Sequence, residues 1–98
     1  MNVGLREEAL DDLRRIRDWY VARNPVVARA MISRVQDRLN QLTDFPEIGA
    51  IEAGRPDRTL YVPGTPLVVV YRIDATSDLV DVIAGVDARR DPLSRRRP

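Results

Sequence analysis

Arg58–Pro92, RTLYVPGTPLVVVYRIDATSDLVDVIAGVDARRDP, decides how this chain folds. It reads as three short strands and a basic turn. Thr59–Val62 is the first strand. Pro63-Gly64-Thr65-Pro66 ends it, because two prolines and a glycine cannot sustain a ladder. Leu67–Asp74 is the second strand and the most apolar run in the sequence. Ala75–Asp78 is a polar turn, and Leu79–Val86 is the third strand. Strands joined by about four turn residues pair antiparallel, since a parallel return needs a much longer crossover. On the second strand Leu67, Val69, Tyr71 and Ile73 share one face, with Val68, Val70 and Arg72 on the other. On the third, Val80, Val82, Ala84 and Val86 alternate with Asp81, Ile83, Gly85 and Asp87. A second strand apolar on both faces belongs in the middle of the sheet, and its uncovered apolar face is a candidate partner surface.

Such a meander needs a cover, and the first half of the chain supplies it. Asn2–Leu5 is a short edge strand. In Glu7–Arg23, Ala9, Leu13, Ile16 and Tyr20 form the stripe of an amphipathic helix. Glu7 and Glu8 suit the positive end of its dipole. Trp19 lies beside the stripe as a half-buried packing residue. Asn24-Pro25 ends this helix and opens another, with asparagine as cap and proline in the first turn. The second helix runs to about Leu42, with Ala28, Met31, Val35, Leu39 and Leu42 on its apolar side. Phe45 is the only phenylalanine and is expected to plug the end of the core. Residues 50–57 read as a loop. The pattern predicts an α+β fold, in which a short N-terminal strand and a helical hairpin pack on a small antiparallel sheet. Leu13, Ile16, Val35, Leu39, Val69 and Tyr71 fall in one core. Residues 1–93 form one domain, and 94–98 a basic, flexible tail.

Composition narrows the chemistry. At 44% hydrophobic and 32% charged residues, a 98-residue chain supports one globular core. No run of about eighteen apolar residues predicts a membrane span, and the N-terminus lacks the basic-then-apolar pattern of a signal peptide. A cytoplasmic protein without cofactor is expected. There is no cysteine and no histidine. Thiolate chemistry, the commonest general base and the commonest metal ligand are therefore missing, and no metal site is expected. There is also no lysine, and all sixteen basic residues are arginine. Arginine is a poor base, but its fork suits carboxylate and phosphate. Residues 89–98 hold five arginines against Asp91 alone, while residues 1–88 hold eleven against fourteen acids. A basic end on a slightly acidic body suits an acidic partner.

Six stretches, taken together, resemble a known family. ALDDLRRIRDWY (9–20), NPVVARAMISRVQDRLNQL (24–42), FPEIG (45–49), GRPDRTLYV (54–62), VVVYRI (68–73) and VIAGVDARRDP (82–92) look like the RelE/ParE superfamily of toxins from type II toxin–antitoxin modules. No one of them is specific; their order and spacing are. The resemblance implies a helical hairpin on a small antiparallel sheet. It also implies one of two activities. RelE-like members cleave messenger RNA in the ribosomal A site, using lysine, arginine, histidine, glutamate or tyrosine around the sheet. ParE-like members lack that set and poison DNA gyrase.

This sequence departs from the nuclease pattern. Asp87 stands where the family often carries histidine, and the last residues contain no tyrosine. The proton-transfer candidates left are Asp87, Glu52 and Tyr71. The reading is a ParE-like toxin with no catalytic residue, which inhibits gyrase by binding. The alternatives are a RelE-like ribonuclease with a reduced site, or a non-toxic binding relic. Arg58, Arg72, Asp87, Arg89 and Arg90 are the candidate target-binding residues, expected together at one end of the sheet. Trp19, Leu67, Val68 and Val70 are the candidate antitoxin-binding residues. The implied partners are a ParD-like antitoxin with an acidic C-terminal segment, DNA gyrase, and operator DNA only through the antitoxin. A hetero-oligomer with that antitoxin is expected, and no membrane contact.

Overall fold

The structure is a computed structural model that describes residues 1–51 and 54–90. In chain order the elements are β1 (Asn2–Leu5), α1 (Glu7–Arg23), α2 (Pro25–Asp44), β2 (Ala50–Ile51), β3 (Arg58–Tyr61), β4 (Leu67–Asp74) and β5 (Leu79–Asp87). The hairpin turn is as tight as the sequence implies. Asn24 closes α1 by donating its N–H to the Tyr20 carbonyl, and its side chain caps α2 by accepting from Val27 N at 3.2 Å. One residue thus satisfies orphan groups of two helices. Pro63-Gly64 is a turn closed by Thr65 N–H on the Val62 carbonyl, with Gly64 at φ 75°, a conformation that glycine adopts without strain.

The sheet order is β1-β5-β4-β3-β2, so β4 is central, as its two apolar faces require. Two features differ from the expectation. The sheet is mixed, because β1 runs parallel to β5. The whole hairpin and meander separate those strands, so the long crossover that a parallel pair needs is available. Ala50–Ile51, read as loop, pairs antiparallel with β3. A two-residue edge pairing is too short to leave a periodic trace.

A third difference is a bulge. Val70 pairs with Ala84 but Tyr71 pairs with Val82, which leaves Ile83 as the extra residue. The simple alternation along β5 therefore fails. Val80 and Val82 share the helix-covered face with Tyr71 and Ile73. Beyond the bulge, Gly85 and Asp87 take that face opposite Val69 and Leu67, while Ala84 and Val86 turn to the other.

The core lies between the hairpin and the sheet. Ile16, Val35, Val69 and Tyr71 belong to it, with Leu13 and Leu39 partly buried against it. Phe45 does not plug its end, being 62% exposed. α2 turns Leu42 inward, fully buried, and the chain leaves the helix at Phe45. Tyr71 secures that end instead. Its buried ring carries a hydroxyl that donates to the Pro46 carbonyl at 2.8 Å and accepts from Gly49 N at 2.9 Å.

Burial pushes the Tyr71 hydroxyl above its usual titration range, partly opposed by the Gly49 N–H. A folded-state pKa above the unfolded value of about 10 gives stability that is complete below pH 10 and is lost as pH rises through the folded pKa. Urea midpoints should thus hold up to about pH 10 and fall above it. The fall should be shallower in Tyr71→Phe. A midpoint in that variant that falls as steeply as in wild type would assign the alkaline loss elsewhere.

Candidate functional site

The bulge brings the end of β5 against α1. Asp87 is buried at 3% exposure. One carboxylate oxygen accepts from the Tyr20 hydroxyl at 2.7 Å, and the other from the backbone N–H of Arg89 at 3.1 Å. Asp87 is therefore a turn former. Among the described residues its carboxylate forms no ion pair with an arginine side chain. Gly85 N donates to Asp12 at 3.1 Å, and Asp12 also pairs with Arg15. A Cβ on Gly85 would meet Leu13 Cδ2 at 2.7 Å, so glycine permits α1 to approach this closely. Burial, then the hydrogen bond to Asp87, push the Tyr20 hydroxyl up; Arg89 pulls it partly back.

Trp19 is half-buried beside this junction, its ring centroid 4.8 Å from that of Tyr20. The guanidinium carbons of Arg23 and Arg90 lie over the indole at 3.7 and 4.1 Å from its centroid. A cleft of about 180 Å³ opens here, lined by Arg15, Trp19 and Arg90 together with Asp12 and Asp87. The sequence placed Trp19 beside the stripe but missed Asp12. Its signal was available: Asp12 lies three residues after Ala9 and four before Ile16, on the buried face.

The expected target-binding set does not assemble into one patch. Arg89 and Arg90 follow β5 at the Leu67 end of β4, whereas Arg58 pairs with Tyr71 and Arg72 with Asp81. Four to five residues of strand, about 13–17 Å, separate the two groups. Arg58 and Arg72 also lie on opposite faces. Arg58 donates to the Glu47 and Gly49 carbonyls at 3.1 and 3.0 Å. Arg72 pairs with Asp57, which Arg55 also meets at 3.7 Å. The cause is the antiparallel register, which sends the C-terminal ends of neighbouring strands to opposite ends of the sheet. Glu52 and the tail arginines Arg95, Arg96 and Arg97 lie outside the described residues.

The expected antitoxin surface divides too. Leu67 faces the helices and is buried, and Val68 is buried on the opposite face. Val70 is half-buried there, as is Trp19 on α1. An open apolar groove of about 370 Å³ runs along the hairpin, lined by Leu10, Leu13, Met31, Val35 and Leu39 with Arg14 and Arg17. Among the described residues, no helix is long and apolar enough to cross a membrane.

A family model described as the ParE toxin of the type II toxin–antitoxin system, parDE, matches residues 3–92. The chain belongs to the ParE toxin family. Solved structures share its fold. A chain of the chromosomal ParDE system from P. aeruginosa is 22% identical, with a TM-score of 0.63, 86% of this chain and 91% of that chain covered. A chain of the intact E. coli RelBE toxin–antitoxin complex is 15% identical, with a TM-score of 0.62 and coverages of 86% and 92%. Free E. coli RelE with two arginines replaced by alanine is 14% identical, with a TM-score of 0.64 and coverages of 98% and 97%. Among curated proteins no relative matches the sequence. Chains from the ParDE and RelBE systems fit the fold about equally well, so the fold does not choose between them.

Proposed function

We propose that this ParE-family chain is a toxin that inhibits DNA gyrase by binding it, and that a cognate antitoxin neutralises it. The observation that carries the binding mechanism is the state of Asp87 and Tyr71, the two proton-transfer candidates among the described residues. Both Asp87 oxygens are engaged, by Tyr20 and by Arg89 N–H. The Tyr71 hydroxyl is engaged by Pro46 and Gly49, and burial makes it harder to ionise. A general base must reach the proton that it takes and have a pKa near the working pH. These two groups hold the fold instead. Of the expected target-binding residues, Arg89 and Arg90 are exposed beside the α1 junction and are the pair best placed to meet a target.

The hairpin groove suits the antitoxin. Its apolar lining with an arginine rim fits an amphipathic acidic helix, which reads such a groove through side chains one turn apart. The Val70 face and the sheet edge would extend that contact. The complex is a hetero-oligomer in the cytoplasm, and operator DNA is reached through the antitoxin.

Asp87→Asn tests the mechanism. Purified wild-type protein should block gyrase supercoiling and leave ribosome-bound messenger RNA intact, and Asp87→Asn should do the same at equal folded fraction. A rate-setting base would contribute about 10²–10⁴-fold. If the wild type cuts messenger RNA on ribosomes and folded Asp87→Asn does not, the gyrase reading gives way to the nuclease.

A further inference from the structure

The Trp19 surface has a feature that the fold alone does not require. Arg23 and Arg90 both set the guanidinium carbon over one half-buried indole, yet they come from distant parts of the chain, a helix end and the end of the sheet. Among the described residues neither Arg23 nor Arg90 pairs with a carboxylate, so both charges are available to a partner. A stacked guanidinium uses its face and keeps its in-plane N–H groups for a carboxylate. Arg23 spends one of them on the Trp19 carbonyl at 2.9 Å. The backbone beneath Arg90 is fixed as well. Arg90 N donates to the Asp87 carbonyl at 3.1 Å, Ala88 N to the Pro66 carbonyl at 2.9 Å, and the Asp87 side chain is anchored by Tyr20. An arginine ordered before binding loses less entropy when it meets its partner.

We propose that Trp19 is the positioning residue of a carboxylate-binding surface, on which Arg23 and Arg90 present their forks to acidic side chains of the target protein. The proposal rests on the reading that the toxin acts by binding a protein, and it names the chemistry of the contact. Lining charge favours a protein over nucleic acid. The adjoining cleft carries the Asp12 and Asp87 carboxylates as well as Arg15 and Arg90. Two acids against two arginines leave the cleft lining without the net positive charge that holds a phosphate backbone, whereas single carboxylates need meet only the two forks. The start of α2, next in sequence to Arg23, also exposes Val26 and Val27, with Val26 at 74%. Tryptophan and arginine are themselves enriched in protein interfaces.

The test is gyrase supercoiling inhibition by the full chain and its variants, read beside the emission of Trp19, the only tryptophan. Arg90→Ala and Arg23→Ala should each raise the inhibitory concentration about fivefold, the usual scale for one partly solvated charge. Trp19→Ala should weaken inhibition more than either, and Trp19→Phe, which keeps an aromatic face, should recover part of it. Arg29→Ala, on the exposed side of α2, is the control expected to leave inhibition unchanged. Inhibition at wild-type strength by both Arg90→Ala and Trp19→Ala overturns the surface and leaves the gyrase reading standing. If the wild type does not inhibit gyrase, that reading fails, and a titration of Trp19 emission decides the surface alone. A saturable change with an oligoglutamate peptide, weakened in Arg90→Ala and not produced by a short DNA duplex, upholds it. No change with oligoglutamate, or a change with the duplex only, overturns it.

Discussion

Leu42→Ala is expected to destabilise the protein by roughly 2–5 kcal/mol, the range for a buried leucine that leaves a cavity. Leu42 has no exposed surface and lies where α2 ends over the sheet. Only two residues on, the chain leaves the helix and Phe45 turns to solvent, so Leu42 is the last side chain of α2 that fills the core. Leu39→Ala removes the same atoms from a half-buried position facing the open hairpin groove. There water already reaches part of the side chain, and the loss should be clearly smaller. Urea denaturation of the two variants side by side checks this. Equal losses would mean that the groove is closed in solution.

Gly49→Ala should be comparably damaging, although it adds a single carbon. Its Cβ would lie 2.6 Å from the Tyr71 hydroxyl oxygen and 2.7 Å from ring carbon Cε1. The Tyr71 ring is fully buried and its hydroxyl is held on two sides, so it cannot swing away as a surface side chain would. Overpacking of this kind costs typically 1–3 kcal/mol. Breaking the hydroxyl's bonds leaves a buried N–H unpaired, for a further loss of about 1–3 kcal/mol. Gly49→Ala combined with Tyr71→Phe separates the two, since the phenylalanine removes the closest clash. A double variant less stable than Gly49→Ala alone would show that the hydrogen bonds, not the clash, dominate.

The elements other than β2 were legible because the longer ones are written in a local pattern. Ala9, Leu13, Ile16 and Tyr20 recur at helical spacing, and α1 forms over Glu7–Arg23 as read. Asn24-Pro25 carried both the stop and the start. The apolar residues on both faces of Leu67–Asp74 marked β4 as central, where both faces are covered or half-covered. Backbone geometry sets these periods, so neighbours in sequence reveal them.

What only tertiary structure decided is where distant residues meet. The sequence supplied the basic residues of the site, but the register of β3, β4 and β5 put Arg58 and Arg72 at one end of the sheet and Arg89 and Arg90 at the other. One extra residue in β5, Ile83, turned Gly85 and Asp87 toward α1, and with them came the Asp87–Tyr20 hydrogen bond across 67 positions of sequence. A bulge leaves no periodic trace, because it is a single unpaired residue whose position is fixed by packing against another strand. The Trp19 stack has the same origin. Arg23 lies one turn away on the same helix, but Arg90 arrives from the end of the sheet, and only the folded chain brings both to one ring.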